Sequence, residues 1–286
     1  TATTHTVTVT DAFGATATAT FQLTVNGAVS ATQAVASKVL TQNTAATSFT
    51  PVTGSGGTSP LAYSVSPALP TGLSMASASG AITGTPTVTS AATTHTVTVT
   101  DANGATATAT FSLTVNGAVT ATQAIASKVL TRNTAATSFT PVTGSGGTSP
   151  LAYSVSPALP TGLAMASSTG AITGTPTATS GATTYTVTVT DANGATATAT
   201  FSLTVNGSVV ATQAIASKVL TRDTAASFTP VTGSGGTTPL AYSVSPALPT
   251  GLTMASSTGA VTGTPTASAA ATTHTVTVTD ANGATA

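Results

Sequence analysis

Cysteine, tryptophan and glutamate are all missing from this 286-residue chain, and only 3% of its residues carry charge, against roughly 25% in ordinary domains. Without cysteine neither a disulfide framework nor a thiolate metal site can form. That leaves the compartment open, because a domain with a sufficient core needs no disulfide. Five basic residues balance five acidic ones, and a net charge near zero excludes a basic surface for nucleic acid or anionic lipid. Long apolar runs of the length a membrane helix needs are absent too, so no insertion of this segment into a bilayer is expected. Aromatic residues make up 4%, which leaves few stacking platforms or binding hot spots.

Threonine fills the space, at 73 of 286 positions. It is β-branched and suits the solvated face of a sheet. Low charge and high threonine could signal disorder, but 40% of the residues are hydrophobic and they alternate regularly, so the chain can bury a core. The recurring stretch 96–115 reads T-V-T-V-T-D-A-N-G-A-T-A-T-A-T-F-S-L-T-V. Val97, Val99, Phe111, Leu113 and Val115 share one parity, with threonine on the other. A period of two on both sides of Asp101-Ala102-Asn103-Gly104 predicts a β-hairpin with one buried face.

The same stretch occurs at 6–25 and 186–205 and begins again at Thr275. His5, His95, Tyr185 and His274 mark equivalent places at spacings of 90, 90 and 89. Residues 28–117 and 118–207 differ at nine positions. A period of ~90 residues is the size of one β-sandwich, each with its own core, rather than one rung of a solenoid. The expected organisation is a closing hairpin at 1–26, domains at 27–116 (repeat 1) and 117–206 (repeat 2), and a domain at 207–286 (repeat 3) that lacks its last strand. The chain opens and closes inside a repeat, so the expectation is a segment of a longer array.

Within repeat 2 about seven strands are expected. Ala121–Ala126 and Lys128–Thr131 form a split edge strand, and Ser138–Val142 follows with Phe139 inward and Pro141 confining it to an edge or bulge. Gly144 to Pro150 reads as a turn-rich loop, and Leu151, Tyr153 and Val155 as a central strand. Leu163 with Met165, then Ala171–Thr175, precede the closing hairpin. Links of two or three residues at Asn116-Gly117 and Asn206-Gly207 are too short to act as flexible coil, so a restricted orientation between neighbours is expected.

Taken together, G-S-G-G-T-S-P-L-A-Y-S-V-S, A-L-P-T-G-L, S-T-G-A-I-T-G-T-P and Y-T-V-T-V-T-D-A-N-G-A resemble the immunoglobulin-like repeat of bacterial surface and secreted proteins, a relative of the cadherin-like domain of dystroglycan. The resemblance covers essentially the whole chain. It implies an all-β fold of tandem immunoglobulin-like sandwiches within large secreted or cell-surface proteins, often adhesins. It implies no chemistry, because the shared residues are turn and core residues. Tyr185, early in the penultimate strand, sits where such folds often place a tyrosine corner. His5, His95 and His274 take that place elsewhere.

Each chemistry-bearing residue type has a structural reading that outweighs the functional one. The histidines lie one domain apart with no carboxylate at ligand spacing, which favours a corner residue over a metal ligand. Asp101 is the single regular acid of its repeat, whereas calcium takes 6–8 oxygen ligands. A type I turn with Asp first and a left-handed Gly explains it. Leu159-Pro160-Thr161-Gly162 lacks one residue of a sortase signal and reads as a bend. Asn206-Gly207-Ser208 is a lone glycosylation sequon. The sharpest chemical hypothesis is an intramolecular isopeptide bond between a first-strand lysine and a last-strand asparagine, as in pilin-like domains. The candidates are Lys38 with Asn116 and Lys128 with Asn206, set against the reading of an exposed edge-strand lysine.

No nucleophile–base pair, paired carboxylates or phosphate cradle is present in the sequence, so neither catalysis nor a cofactor is expected. The leading expectation is a structural extracellular or cell-surface protein, a stiff array forming an adhesin stalk or the body of a fibre. Copies of itself are the expected partners, end to end or laterally, since low charge gives little repulsion. The alternative is an adhesive module whose loops bind a host or matrix glycan or protein. Strand addition between chains, with hairpin 1–26 completing the last domain of another copy, is a third reading. The near-duplication of residues 1–16 and 271–286 argues against such a donor–acceptor design.

Overall fold

The structure is a computed structural model and describes residues 2–286. Every regular element among them is a strand. The chain divides into two compact units: one holds the residues up to Ala118 with Gly146–Thr148 and Asn193–Ala195, the other Val119–Ser145, Ser149–Ala192 and Thr196–Ala286.

In repeat 2, strands Ser127–Thr131, Thr196–Asn206, Ser180–Thr190 and Ala152–Ser156 lie side by side in that order. The first pair is parallel, with Thr131 opposite Asn206, and the others are antiparallel. A second sheet pairs Ala136–Phe139 with Ile172–Gly174 and that with Leu163–Met165. A short ladder joins Thr120–Gln123 to Val142–Ser145. The inward parity is as the alternation requires: Tyr185, Val187, Val189, Phe201, Leu203 and Val205 are buried, as are Phe139, Val142 and Ile172 from the opposite side. Threonines 186, 188, 198 and 200 pair across the outer face. Repeat 1 is built alike, with Val97, Val99, Phe111, Leu113 and Val115 packed into one cluster with Leu40, Val52 and Ile82.

Three expectations change. The strand carrying Tyr153 is an edge strand, because only Ser180–Thr190 pairs with it. The loop expected from Gly144 begins two residues later, since Val142–Ser145 is paired. Finally, Pro141 does not merely bend one strand but divides it, and its carbonyl accepts from the Ala124 and Ile125 amides at 2.8 and 3.1 Å. A proline nitrogen cannot donate to a ladder, so the chain changes partners there.

Hairpin Thr3–Thr10 with Thr16–Leu23 keeps the register of its counterparts, but its residues are exposed. In repeat 3, residues 217–221 form no strand and Val219 is 92% exposed, against 36% for Val129. In repeats 1 and 2 this segment pairs in parallel with the closing strand, and repeat 3 has no such strand among the described residues.

Candidate junction site

Where one repeat runs into the next, three short segments meet: the closing-strand asparagine, the glycine-rich loop and the Asp-Ala-Asn-Gly turn. The turn forms as expected. Asp101 Oδ1 accepts from the amides of Asn103 and Ala105 at 3.0 and 2.8 Å. Gly104 closes it at a φ of 86°, the left-handed region glycine reaches without steric cost. The other oxygen does something the sequence reading missed. Asp101 Oδ2 accepts from the Thr58 amide at 2.9 Å, tying the turn to the glycine-rich loop. That requires close approach: a Cβ on Gly57 would sit 2.8 Å from Asp101 Cβ. The Thr58 amide, then those of Ala105, Asn103 and Gly104, hold the Asp101 carboxyl below the usual carboxylate range despite its burial.

The junction of repeats 2 and 3 lies wholly within one unit and adds a residue from the preceding repeat. Asp280 Oδ1 accepts from the Asn282 and Ala284 amides at 2.9 and 2.8 Å. Its Oδ2 accepts from the Thr237 amide at 2.8 Å and from the hydroxyl of Thr131, the last residue of the parallel strand in repeat 2. Thr131 Oγ1 and Thr237 Oγ1 are 2.9 Å apart. The Asn282 amide donates to both, at 3.0 and 2.9 Å, and the Asn206 amide donates to Thr237 Oγ1 at 3.2 Å. Beside them the Arg132 amide donates to the Asn206 carbonyl at 2.9 Å, and the Ser208 hydroxyl to the Arg132 carbonyl at 3.2 Å. Burial opposes the charge on Asp280, but the Thr131 hydroxyl and the Thr237, Ala284 and Asn282 amides outweigh it, and its pKa is lowered. The same residue types recur in the other unit, where the Asn193 amide donates to Thr41 Oγ1 and Thr148 Oγ1 at 3.1 and 3.0 Å.

The isopeptide candidates are not brought together. Lys38 lies opposite Leu113 and Lys128 opposite Leu203, each three positions from the partner of Asn116 or Asn206, about 10 Å along the strand. The Lys38 and Lys128 ammonium groups lie 5.5 Å from the ring centres of Phe49 and Phe139. The Asn116 and Asn206 amides donate instead to Thr148 and Thr237. These lysines are therefore half-buried cation–π partners rather than bare edge charges. The sequon's Asn206 and Ser208 side chains are likewise engaged in the junction. His95 stacks on Phe111 at 5.4 Å and donates from Nδ1 to the Pro67 carbonyl at 2.9 Å, while Tyr185 stacks on Phe201 at 5.5 Å. Both rings are buried opposite the closing-strand phenylalanine, and His95 makes the bond to the backbone expected of a corner residue.

These are tandem immunoglobulin-like sandwiches. The chain belongs to the family described as Putative Ig domain, whose model matches residues 28–116, 118–206 and 208–286. Among solved structures the chain is similar to an I-band fragment of titin, at 12% identity over 88% of this chain and 94% of that one, with a TM-score of 0.43. Extracellular domains 3–5 of Drosophila OTK match at 11% identity over 89% and 93%, with a TM-score of 0.38. A mouse cadherin-23 fragment matches at 14% identity over 88% and 93%, with a TM-score of 0.31. No curated protein sequence matches the chain.

Proposed function

We propose that the chain is a structural spacer, a run of immunoglobulin-like repeats serving as the stalk of a cell-surface adhesin or the body of an extracellular fibre. The observation that carries this reading is the junction of repeats 2 and 3. Its link is short, and side chains from both repeats close over it in hydrogen bonds. A binding module needs such a joint less than a spacer does. A spacer works by extension and resistance to bending, which depend on each joint. The wet faces of the sheets, rich in threonine and poor in charge, suit lateral packing against other copies.

Electron microscopy of the native material tests the proposal. Stalks or filaments with one bead per roughly 90 residues support it. Isolated molecules that bind components of a glycan array would move the chain to the class of adhesive modules.

A further inference from the structure

At the repeat 2–repeat 3 junction, donors and acceptors can be counted completely. The Asp280 carboxylate has about four lone-pair positions, and four donors fill them: the amides of Asn282, Ala284 and Thr237 and the Thr131 hydroxyl. Thr131 has spent its only proton on Asp280, so its oxygen can only accept from Thr237 and Asn282. The Thr237 hydroxyl must then be the donor of the Thr131–Thr237 contact. Its own oxygen accepts from the amides of Asn282 and Asn206. Every direction is thereby fixed, and no lone pair of the carboxylate is left over.

We propose that Thr131, Asn206, Thr237, Asp280 and Asn282 form a recognition latch by which one repeat docks on the end of the preceding repeat, and that this latch fixes the angle of the joint without a bound cation. The partner surface is a strand ending Ser-Lys-Val-Leu-Thr with its threonine hydroxyl presented beside the closing-strand asparagine. The receiving surface is the Gly-Gly-Thr loop with the Asp-Ala-Asn-Gly turn. A cation would have to displace amide donors from a lone carboxylate, whereas calcium wants 6–8 oxygens, usually several of them carboxylates. The charged groups on the elements around the latch are Lys128 and Arg132. The Lys128 ammonium is engaged with the Phe139 ring, and Arg132 Nε lies 3.5 Å from Ser208 Oγ. The inference deepens the spacer reading and rests on it for its purpose, though the geometry of the joint can be measured whichever function holds.

The absence of cysteine makes that measurement direct. Spin labels at Thr198→Cys in repeat 2 and Ser243→Cys in repeat 3, both exposed strand positions, report the distance distribution across the joint in the full chain. The expected result is one narrow distribution, unchanged by millimolar calcium or by chelator. Thr131→Val, which keeps the shape and loses the hydroxyl, should broaden it at least twofold, and Thr131→Ser should restore it. Asp280→Asn should broaden it as well. An asparagine can still accept the two turn amides on its oxygen, but its NH2 then meets the Thr237 amide and the Thr131 hydroxyl donor against donor, with no acceptor left for either. Circular dichroism of each variant checks that the sandwiches remain folded. Unchanged widths in Thr131→Val and Asp280→Asn would overturn the latch, and broadening of the parent by chelator would overturn its independence of cations.

Discussion

At the penultimate-strand corner, repeat 1 has a histidine and repeat 2 a tyrosine, and each ring stacks on the phenylalanine opposite. The histidine carries a cost the tyrosine avoids, because His95 Nε2 is buried with no partner among the described residues. A buried unsatisfied acceptor costs about 1–3 kcal/mol. His95→Tyr removes that cost but also the Nδ1 bond to Pro67, worth about 0.5–1.5 kcal/mol. A net stabilisation of repeat 1 by up to about 1 kcal/mol is therefore expected, read as a rise in the denaturation midpoint; a fall would show that the Pro67 bond outweighs the unpaired nitrogen. Gly236 illustrates the opposite constraint. It sits at a φ of 64°, and a Cβ there would meet Val209 Cγ2 at 2.6 Å and Asp280 Cβ at 2.9 Å. Gly236→Ala should cost roughly 2–4 kcal/mol, from left-handed strain plus displaced neighbours. The carboxylates set a pH limit. Asp101 and Asp280 both have folded pKa values below the ordinary one. Their stabilisation is complete above the unfolded value of about 3.9 and is lost as pH falls through the folded value. The part of the stability that these carboxylates supply should be constant above about pH 5 and decline below about 4, and Asp280→Asn should make that acid-limb decline shallower.

At the scale of the element, the alternating pattern made the hairpins legible down to their buried faces, because a one-residue slip would turn every valine outward. Turn chemistry was legible for the same kind of reason: few residues other than Asp and Gly suit those positions. What could not be read was the order of strands across the sheet. Tyr153 alternates like a central-strand residue, yet its strand is at the edge, and its hydroxyl accepts from the Gly144 amide at 3.1 Å. That bond pins the edge strand to the glycine-rich segment, and Tyr153→Phe should cost about 1 kcal/mol in repeat 2, measured by chemical denaturation. The latch was hidden because its members are common polar residues scattered between positions 131 and 282. Thr131 reads as one more threonine until the parallel pairing sets it opposite Asn206. The isopeptide idea failed through register as well, since residue type alone could not show that Lys128 faces Leu203.

For the whole molecule, near-identical repeats pose the question of what joins them. Hydrophobic burial explains each sandwich separately but does not specify how the next one is set. At the junction inside the second unit, the answer rests on a hydroxyl from one repeat and a carboxylate from the next. Residues in one hydrogen-bond network couple by about 0.5–3 kcal/mol, while independent sites add within roughly 0.3–0.5 kcal/mol. The direct measurement is a double-mutant cycle in the full chain with Thr131→Val and Asp280→Asn, following repeat 3 by chemical denaturation. The account predicts that either change removes most of what the pair supplies, so that the double variant loses about 1–2 kcal/mol less than the sum of the singles. Strict additivity would contradict it, because the two residues would then stabilise their own repeats and not the joint between them.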